Sequence, residues 1–290
     1  MEANSYLPGQ PSDNQPGDAA KSNILNWGLY WSLMRLEFMK MLAYRISYIT
    51  GVLNYAVQIG AYFFLWEAIY SGQVSSLGGF NKEEMLTYLI VAWVARSFYF
   101  NNMDRQISVE IKEGKVAVDL IRPYDYQLAR LARALGEAVF RLFFFALPSA
   151  LFIYFLYPFG LPWDPRVWLL FGLSLLGSFF LNSQLNFMTG IVAFFTMNTT
   201  GVQRAKRVII DLFSGLLLPI SFYPDWAQAV IKYLPFQAIS YLPNLIYLKK
   251  LQGLQAVQAL AVQAFWFLVL YILGRMLWKL ALRKVAIQGG

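Results

Sequence analysis

The stretch RQISVEIKEGKVAVDLIRPYDYQLARLARALGE, residues 105–137, is the longest charge-rich run in the chain. It contains six basic and five acidic side chains: Arg105, Lys112, Lys115, Arg122, Arg130 and Arg133, with Glu110, Glu113, Asp119, Asp125 and Glu137. Charged groups are costly to bury in an apolar medium, so this segment must lie in water. Because the sequence on both sides is almost entirely apolar, the segment is predicted to be a polar hairpin between two hydrophobic helices, which a soluble partner can bind.

The second half of this hairpin is predicted to be helical. Pro123 can begin a helix, because its missing N–H is among those that a helix start leaves unpaired. Downstream, Leu128, Leu131 and Leu135 recur at spacings of three and four, which is typical of the apolar face of a helix. The hairpin is therefore predicted to combine a short element near residues 109–120, which makes the partner contact, with a helix that runs from Pro123 into the membrane.

The composition is that of an integral membrane protein. Of 290 residues, 58% are hydrophobic and only 14% are charged, whereas soluble domains have about 25% charged residues. Several apolar runs exceed the ~20 residues that a helix needs to cross a ~30 Å hydrocarbon core. The chain contains no Cys and no His, which excludes disulfides, thiolate metal ligands and imidazole-based catalysis.

Six hydrophobic segments are predicted to be membrane-spanning helices. They are Tyr48–Tyr70, Met85–Met103, Ala138–Tyr157, Val167–Thr196, Val208–Phe222 and Val257–Lys279. If the N-terminus is cytosolic, 18 of the 24 Lys and Arg residues fall on the cytosolic side and five on the outer side, and Arg96 lies within a span. Since cytosolic loops of membrane proteins are enriched in Lys and Arg, both termini are expected to be cytosolic.

The segment ahead of the first span is predicted to be an amphipathic helix. Within residues 22–45, apolar side chains recur at spacings of three and four, and the charged side chains lie off that face. A helix of this kind lies on the cytosolic leaflet; an extended base of the first span is the alternative. Residues 1–21 have too few apolar side chains to fold and are expected to be a disordered tail. Residues 22–285 then form one membrane domain, followed by a C-terminal tail, 286–290.

The segment between spans five and six is unusual for an outer loop. Residues 216–250 contain four prolines, which interrupt helices, yet the segment is largely apolar. Short re-entrant helices that dip into the outer leaflet and return would satisfy both observations. A proline-kinked seventh span is the alternative, but it would place the basic C-terminus outside, against the charge distribution. The predicted fold is therefore an all-α membrane protein with six spans, an interface helix and re-entrant outer helices.

Three sequence features together are similar to those of a known family. They are the amphipathic helix before the first span, the stretch GKVAVDLIRP at Gly114–Pro123, and the proline-broken stretch LLLPISFYP at Leu216–Pro224. With these features the chain resembles the permease subunit of a type-2 ATP-binding-cassette (ABC) exporter, and more narrowly the viologen-exporter-like permeases of bacteria. The resemblance covers roughly residues 22–285. Ala117 departs from it, because relatives often have an acidic residue three positions after the glycine.

The resemblance implies partners and a coupling site. It implies a multi-pass permease of the bacterial inner membrane, in contact with membrane lipid, that pairs with an identical or similar permease and recruits two ABC ATPase subunits. The short element of the hairpin would be the coupling helix, with the ATPase-coupling residues Glu110, Glu113, Gly114, Lys115, Asp119, Arg122 and Pro123. The chain has no G-x-x-x-x-G-K-[ST] phosphate loop. ATP and Mg²⁺ are therefore expected on the partner, with no cofactor, metal or nucleic acid on this chain.

Polar residues within the predicted spans are candidates for the substrate path, because they usually face a bundle interior or a cavity. The resemblance implies a path between two permeases that draws on spans one, two and five. The preferred lining residues are Asn54, Gln58, Arg96 and Asp211, and the less favoured ones are Asn182 and Asn186. Polar contacts that hold helices together are the alternative for the whole set.

Two pairings and two other functions remain open from the sequence. Arg96 could pair with Glu67 near the outer end of span one, and Asp211 could pair with a member of the basic cluster at residues 204–207. An ion-coupled secondary transporter would need intramembrane acidic residues, of which Glu67 and Asp211 are the candidates. A membrane scaffold without transport activity is the other alternative. For an exporter, the substrate could be an amphiphilic small molecule, a lipid or a glycoconjugate.

Overall fold

The structure is a computed structural model that describes residues 27–43, 46–72, 75–196 and 199–288. These ranges contain helices and no β-strand. The α-helices are α1 (Trp27–Ala43), α2 (Ile46–Tyr70), α3 (Lys82–Tyr99), α4 (Met103–Lys112), α5 (Val116–Leu120), α6 (Tyr126–Arg141), α7 (Leu147–Leu156), α8 (Pro165–Ile191), α9 (Thr199–Phe213), α10 (Asp225–Ile231), α11 (Tyr241–Tyr247) and α12 (Leu254–Gln288). A π-helical turn, Leu142–Ala146, joins α6 to α7.

Four helical stretches are long and apolar enough to cross a membrane. They are Gly51–Tyr70, Tyr126–Leu156, Pro165–Phe194 and Leu254–Arg283. They coincide with the predicted spans one, three, four and six. Within the described residues, α3 and α9 do not reach the same length and apolarity. The all-helical membrane fold is therefore confirmed, while the count of six spans stays a prediction.

Helix α3 lies at the centre of the bundle. It begins with a capping box in which the Asn81 side chain accepts from the Glu84 N–H and the Glu84 carboxylate accepts from the Asn81 N–H. Helices α2, α6, α8 and α11 pack around it, and most of its side chains are buried. The prediction that this helix continues to Met103 is wrong: it ends at Tyr99, and α4 begins at Met103 after a short break.

The predicted fifth span, Val208–Phe222, does not form one helix. Helix α9 begins and ends earlier in the chain than the predicted span, and its last residue is Phe213. Just beyond it, Gly215 has a φ of 81°, a conformation that glycine adopts without steric cost. Beyond it the chain forms α10 and α11 with 3₁₀ turns at Ile220–Phe222 and Phe236–Ala238. The short, interrupted helices expected within residues 216–250 are present, and their entry into the outer leaflet stays a prediction.

Helix α1 lies within the predicted interface helix, residues 22–45, whose ends at 22–26 and 44–45 lie outside the described residues. It packs along α6. Its buried side chains are Tyr30 and Glu37, while Trp27 and Trp31 are exposed. Glu37 lies off the predicted apolar face of this helix. It is nevertheless buried, because α6 packs against that side. The exposed Trp side chains remain available to lipid.

Gly136 sets the close approach of α1 and α6, which gives a first testable prediction. A Cβ at this position would overlap the Met34 carbonyl group of α1. Gly136→Ala is therefore expected to push the two helices apart and to destabilise the protein by about 1–3 kcal/mol, as overpacking does. Thermal unfolding in detergent measures the effect. Gly201→Ala is the matched control, because nothing lies within 4 Å of a Cβ there; equal melting temperatures for both variants would contradict the prediction.

Candidate functional site

The polar hairpin predicted at residues 105–137 consists of α4, α5 and the first part of α6. Gly114, with a φ of 71°, forms the turn between α4 and α5. Helix α6 begins at Tyr126, and its N-cap is Asp125, whose carboxylate accepts from the Leu128 N–H at 2.9 Å. The prediction that Pro123 opens this helix is wrong, because the Asp125 side chain supplies the cap and leaves Pro123 in the preceding loop.

Arg130 of α6 holds the three helices of the hairpin together. This residue is only 3% exposed. Its guanidinium donates to both carboxylate oxygens of Glu110 in α4 and, at 3.0 Å, to Asp119 in α5. Its Cζ lies 4.7 Å from the centre of the Tyr126 ring. A bidentate guanidinium contact fixes geometry as well as charge, so Arg130 determines how α4 and α5 sit on α6.

The predicted ATPase-coupling residues therefore fall into two groups. Glu110 and Asp119 point inward at Arg130, and Asp119 also accepts from the Tyr124 hydroxyl at 2.7 Å. These two acids position the hairpin. The exposed group consists of Glu113, Gly114, Lys115, Arg122 and Pro123.

Within the exposed group, Glu113 and Lys115 form an ion pair at 2.5 Å. Hydrogen bonding to Glu113 and its negative charge raise the pKa of Lys115 above its usual range. Lys115 thus stays protonated near neutral pH, and the turn presents an ion pair at its surface.

The tip of the hairpin also exposes apolar side chains that the sequence prediction missed. Ile121 is 82% exposed and Val118 is 51% exposed, next to the exposed Leu120. Only Val116 of α5 is buried. The signal was present in the letters VAVDLI, since a five-residue helix that buries Val116 must turn other apolar residues outward. An apolar tip framed by charges is the composition of a protein contact surface.

A second polar region joins α3 to α9. Arg96 and Asp211 form an ion pair at 3.0 Å. Glu67, the candidate partner of Arg96, instead contacts Lys82 at 3.2 Å. The structure therefore brings together two of the four preferred path residues. It excludes the Arg96–Glu67 contact, because Glu67 lies beside Lys82 at the start of α3 while Arg96 is in its last turn.

Next to this pair, a buried network connects α9 to the hairpin. Lys206 of α9 contacts Asp104 of α4 at 2.6 Å and also donates to the side chain of Asn186 in α8. Gln203 of α9 donates to the Ser108 hydroxyl of α4 at 3.0 Å. Helices α4, α8 and α9 are thus tied by charged and polar contacts.

The amides of α8 stabilise the break between α3 and α4. Asn182 donates to the backbone oxygen of Tyr99 at 3.0 Å, and Asn186 donates to the backbone oxygen of Asn101 at 3.0 Å. Asn101 in turn donates to the Ser183 hydroxyl at 3.0 Å. Carbonyl groups that lose helical partners need others when buried. Asn182 and Asn186, the less favoured path residues of the sequence, thus make structural hydrogen bonds at the base of the hairpin, and their place in a substrate path stays a prediction.

Three guanidinium groups surround the ring of Phe100 in this break. The Cζ atoms of Arg96, Arg141 and Arg207 lie 5.3, 5.5 and 5.6 Å from the ring centre. Such distances allow cation–π attraction. The region is thus rich in positive charge where α3, α6 and α9 approach one another.

The other two preferred path residues lie elsewhere. Asn54 and Gln58 are exposed on α2, on a face that also exposes Leu53, Val57 and Leu65. They do not join the Arg96–Asp211 pair within this chain. A mostly apolar helix face with two amides fits contact with lipid or with another membrane protein.

The helical bundle, the self-contained hairpin and the buried charged network define a polytopic membrane protein with a polar hairpin between two of its hydrophobic helices. A family model described as ABC-2 family transporter protein matches residues 56–289. The chain belongs to this family, and the predicted resemblance to a type-2 permease is confirmed. Members are the transmembrane components of ABC transporters and work with an ABC ATPase subunit. A comparison with curated proteins found no match.

Proposed function

We propose that the chain is the six-span permease of an ABC exporter in the bacterial inner membrane. It pairs with an identical or similar permease and binds two ATPase subunits that hold ATP and Mg²⁺. The structure of the hairpin is the main support for this proposal. Arg130 ties the helices of the hairpin together, while Ile121 and its neighbours stay exposed at the tip. A rigid lever with an exposed apolar end suits the transfer of force from a soluble motor.

The six-span count is supported by the surroundings of α3. Because other helices cover most of its surface, α3 needs less lipid-compatible surface than a peripheral span does. Helix α9 has 15 residues, about 22 Å at 1.5 Å per residue. Together with the short helices that follow it, α9 is long enough to complete a fifth crossing. This topology keeps the hairpin and both termini in the cytosol.

Two connections lead from the hairpin into the membrane. Arg130 lies on α6, which leads through the π-helical turn into α7, so that one helical stretch reaches Leu156. Lys206 links Asp104 of α4 to α9. Closure of the ATPase subunits on the tip would therefore move both the third span and the fifth. The second permease chain would pack on the exposed face of α2, where Asn54 and Gln58 would line the path. Arg96 and Asp211 would lie at its cytosolic side.

The docking role of the tip gives a second testable prediction. The double change Val118→Glu and Ile121→Glu places two carboxylates on the exposed apolar tip. It is expected to reduce co-purification of the ABC ATPase, co-expressed from the native host, by at least about tenfold, because hot spots of this kind carry ~2 kcal/mol or more. Membrane insertion and thermal stability are expected to stay unchanged, since both side chains are exposed.

The matched control is Tyr233→Glu, an equally exposed aromatic position in the segment placed on the outer side. It is expected to leave ATPase recovery unchanged. Full recovery of the ATPase by the Val118 and Ile121 double variant would place the docking site elsewhere. Reconstituted vesicles supply the functional readout: substrate-stimulated ATP hydrolysis distinguishes an exporter from a secondary transporter or a scaffold.

A further inference from the structure

A large apolar cavity lies between α3, the stretch from α6 to α7, and α8. Its volume is about 560 Å³, within the ~300–1,000 Å³ range of ligand pockets. Its walls come from Val94 and Phe98 of α3, Ala146 and Ala150 of the third span, and Gly172 of α8. Helices α7 and α8 are consecutive in the chain, yet α7 packs on α2 and α3. The cavity occupies the gap that this leaves between α7 and α8.

The π-helical turn contributes directly to this gap. Leu142 and Ala146, the first and last residues of the turn, both line the cavity. A π turn inserts an extra residue into a helix and is frequently found at functional sites. It shifts the register of the third span just where α7 separates from α8.

A second cavity of about 520 Å³ adjoins the first. Phe159, Leu161 and Tyr247 line both of them. Gly160 holds this shared wall in place: its N–H donates to the Thr87 hydroxyl at 3.2 Å, and its carbonyl accepts from the Tyr247 hydroxyl at 3.0 Å. The two cavities thus meet at one fixed point in the loop between α7 and α8.

The second cavity is more polar than the first and carries both signs of charge. Glu83, Glu84 and Lys249 line it. Glu84 is already engaged by Lys250 at 2.9 Å and by the Asn81 N–H at 3.0 Å. Glu83 and Lys249 are both exposed, and they provide one carboxylate and one ammonium group for a ligand.

One face of α3 runs through both cavities and changes from polar to apolar along its length. From the helix start inward, the lining residues are Glu83, Glu84, Thr87, Val91, Val94 and Phe98. Apart from the adjacent Glu83 and Glu84, these residues are spaced three to four positions apart, which places them on one stripe. In the proposed topology the start of α3 is at the outer surface. The stripe therefore matches a molecule with a charged end at that surface and a hydrocarbon end in the membrane.

We propose that the two cavities form a binding site for an outer-leaflet phospholipid with an amine headgroup. The acyl chain occupies the apolar cavity between α7 and α8. The headgroup ammonium faces Glu83, and its phosphate faces Lys249. The site is formed within one permease, away from the α2 face proposed for the second chain. The inference rests on the proposed orientation of the helices, but not on ATP coupling.

The test uses the full-length permease in vesicles of phosphatidylethanolamine and phosphatidylglycerol. A trace of phosphatidylethanolamine carries a photoreactive diazirine in its acyl chain, and labelled peptides are identified by mass spectrometry. Labelling is expected to concentrate on residues 91–98 and 168–176. Gly172→Leu and Ala150→Leu fill the cavity and are each expected to reduce this labelling at least about tenfold, a loss of ~1.4 kcal/mol.

Gly201→Leu is the control, because its Cβ would also meet open space but outside the cavity; labelling is expected to stay at the wild-type level.

Glu83→Lys tests the headgroup assignment. In this variant, unlabelled phosphatidylglycerol is expected to compete with the photoreactive lipid better than unlabelled phosphatidylethanolamine does. The proposal would be overturned if labelling were spread over exposed positions such as Phe265 and were unchanged by the two filling variants. Such a result would mean bulk lipid contact only. Equal competition by a fatty acid would overturn the headgroup assignment. Neither readout needs the ATPase, so the outcome is separate from that of the transport proposal.

Discussion

Replacing Arg130 by Ala is expected to abolish coupling between ATP hydrolysis and transport. The guanidinium is buried between Glu110 of α4 and Asp119 of α5. Its removal leaves Glu110 without its cationic partner and Asp119 with only the half-exposed Arg122 as a compensating charge. Removing one partner of a buried ion pair costs about 3–5 kcal/mol, and the partial exposure of Glu110 places the expected cost near the lower value. The hairpin should become sensitive to protease, because α4 and α5 lose their attachment to α6.

Two further variants separate positioning from charge. Arg130→Lys keeps the charge but lacks the planar fork that binds two carboxylates, so it is expected to restore stability in part and coupling less. Arg122→Ala is the matched control for hairpin stability: Arg122 contacts the same Asp119, at 3.4 Å, but is half exposed, and exposed pairs contribute only about 0–1 kcal/mol. Proteolysis of the hairpin and ATPase activity of the reconstituted complex are the measurements. Wild-type coupling in Arg130→Ala would show that the hairpin frame does not transmit force.

The hydropathy of the sequence predicts the membrane class and four of the spans well, because those helices meet lipid and must be apolar over their length. It predicts α3 and α9 less well, because both helices carry charged residues that lower their mean hydropathy. Arg96 and Asp211 lie on these two helices and compensate each other across 115 positions of sequence. From the sequence alone, burying such a charged residue in a membrane span looks costly. In the fold, a partner on a distant helix forms an ion pair with it and offsets that cost.

In the hairpin, too, the features set by neighbouring residues could be predicted, and those set by contacts with distant residues could not. Its charge content and the glycine turn at Gly114 are local and were predictable. The inward orientation of Asp119 was not, because it depends on Arg130, which becomes a neighbour only after the chain turns. The break after Tyr99 contains neither Pro nor Gly, and its one local signal is the pair Asn101 and Asn102, a residue type favoured at helix starts. It exists because Asn182 and Asn186 of α8 offer hydrogen bonds to the freed carbonyl groups, a tertiary contact that outweighs local helix propensity.

Replacing Asp104 by Ala is expected to uncouple the hairpin from α9. Asp104 is buried and contacts Lys206 at 2.6 Å, so its loss leaves the ammonium group with the Asn186 side chain and the more distant charge of Asp211. The expected cost is about 3 kcal/mol. ATP hydrolysis in reconstituted vesicles should persist while substrate transport falls, because the ATPase still binds the tip at Ile121 but α4 no longer moves α9.

A double-mutant cycle tests whether the pair itself transmits the movement. Lys206→Ala in the Asp104→Ala background removes the uncompensated ammonium, so the double variant is expected to be more stable than the sum of the two single changes, with a coupling energy of about 0.5–3 kcal/mol. Transport should nevertheless stay low, since the connection is still missing. Lys112→Ala is the control on the same two helices, because Lys112 only donates to the Thr199 hydroxyl at 3.2 Å, and it is expected to lose little transport. Recovery of transport in the double variant would mean that Asp104 and Lys206 merely neutralise each other, and that the third span alone carries the movement from the hairpin.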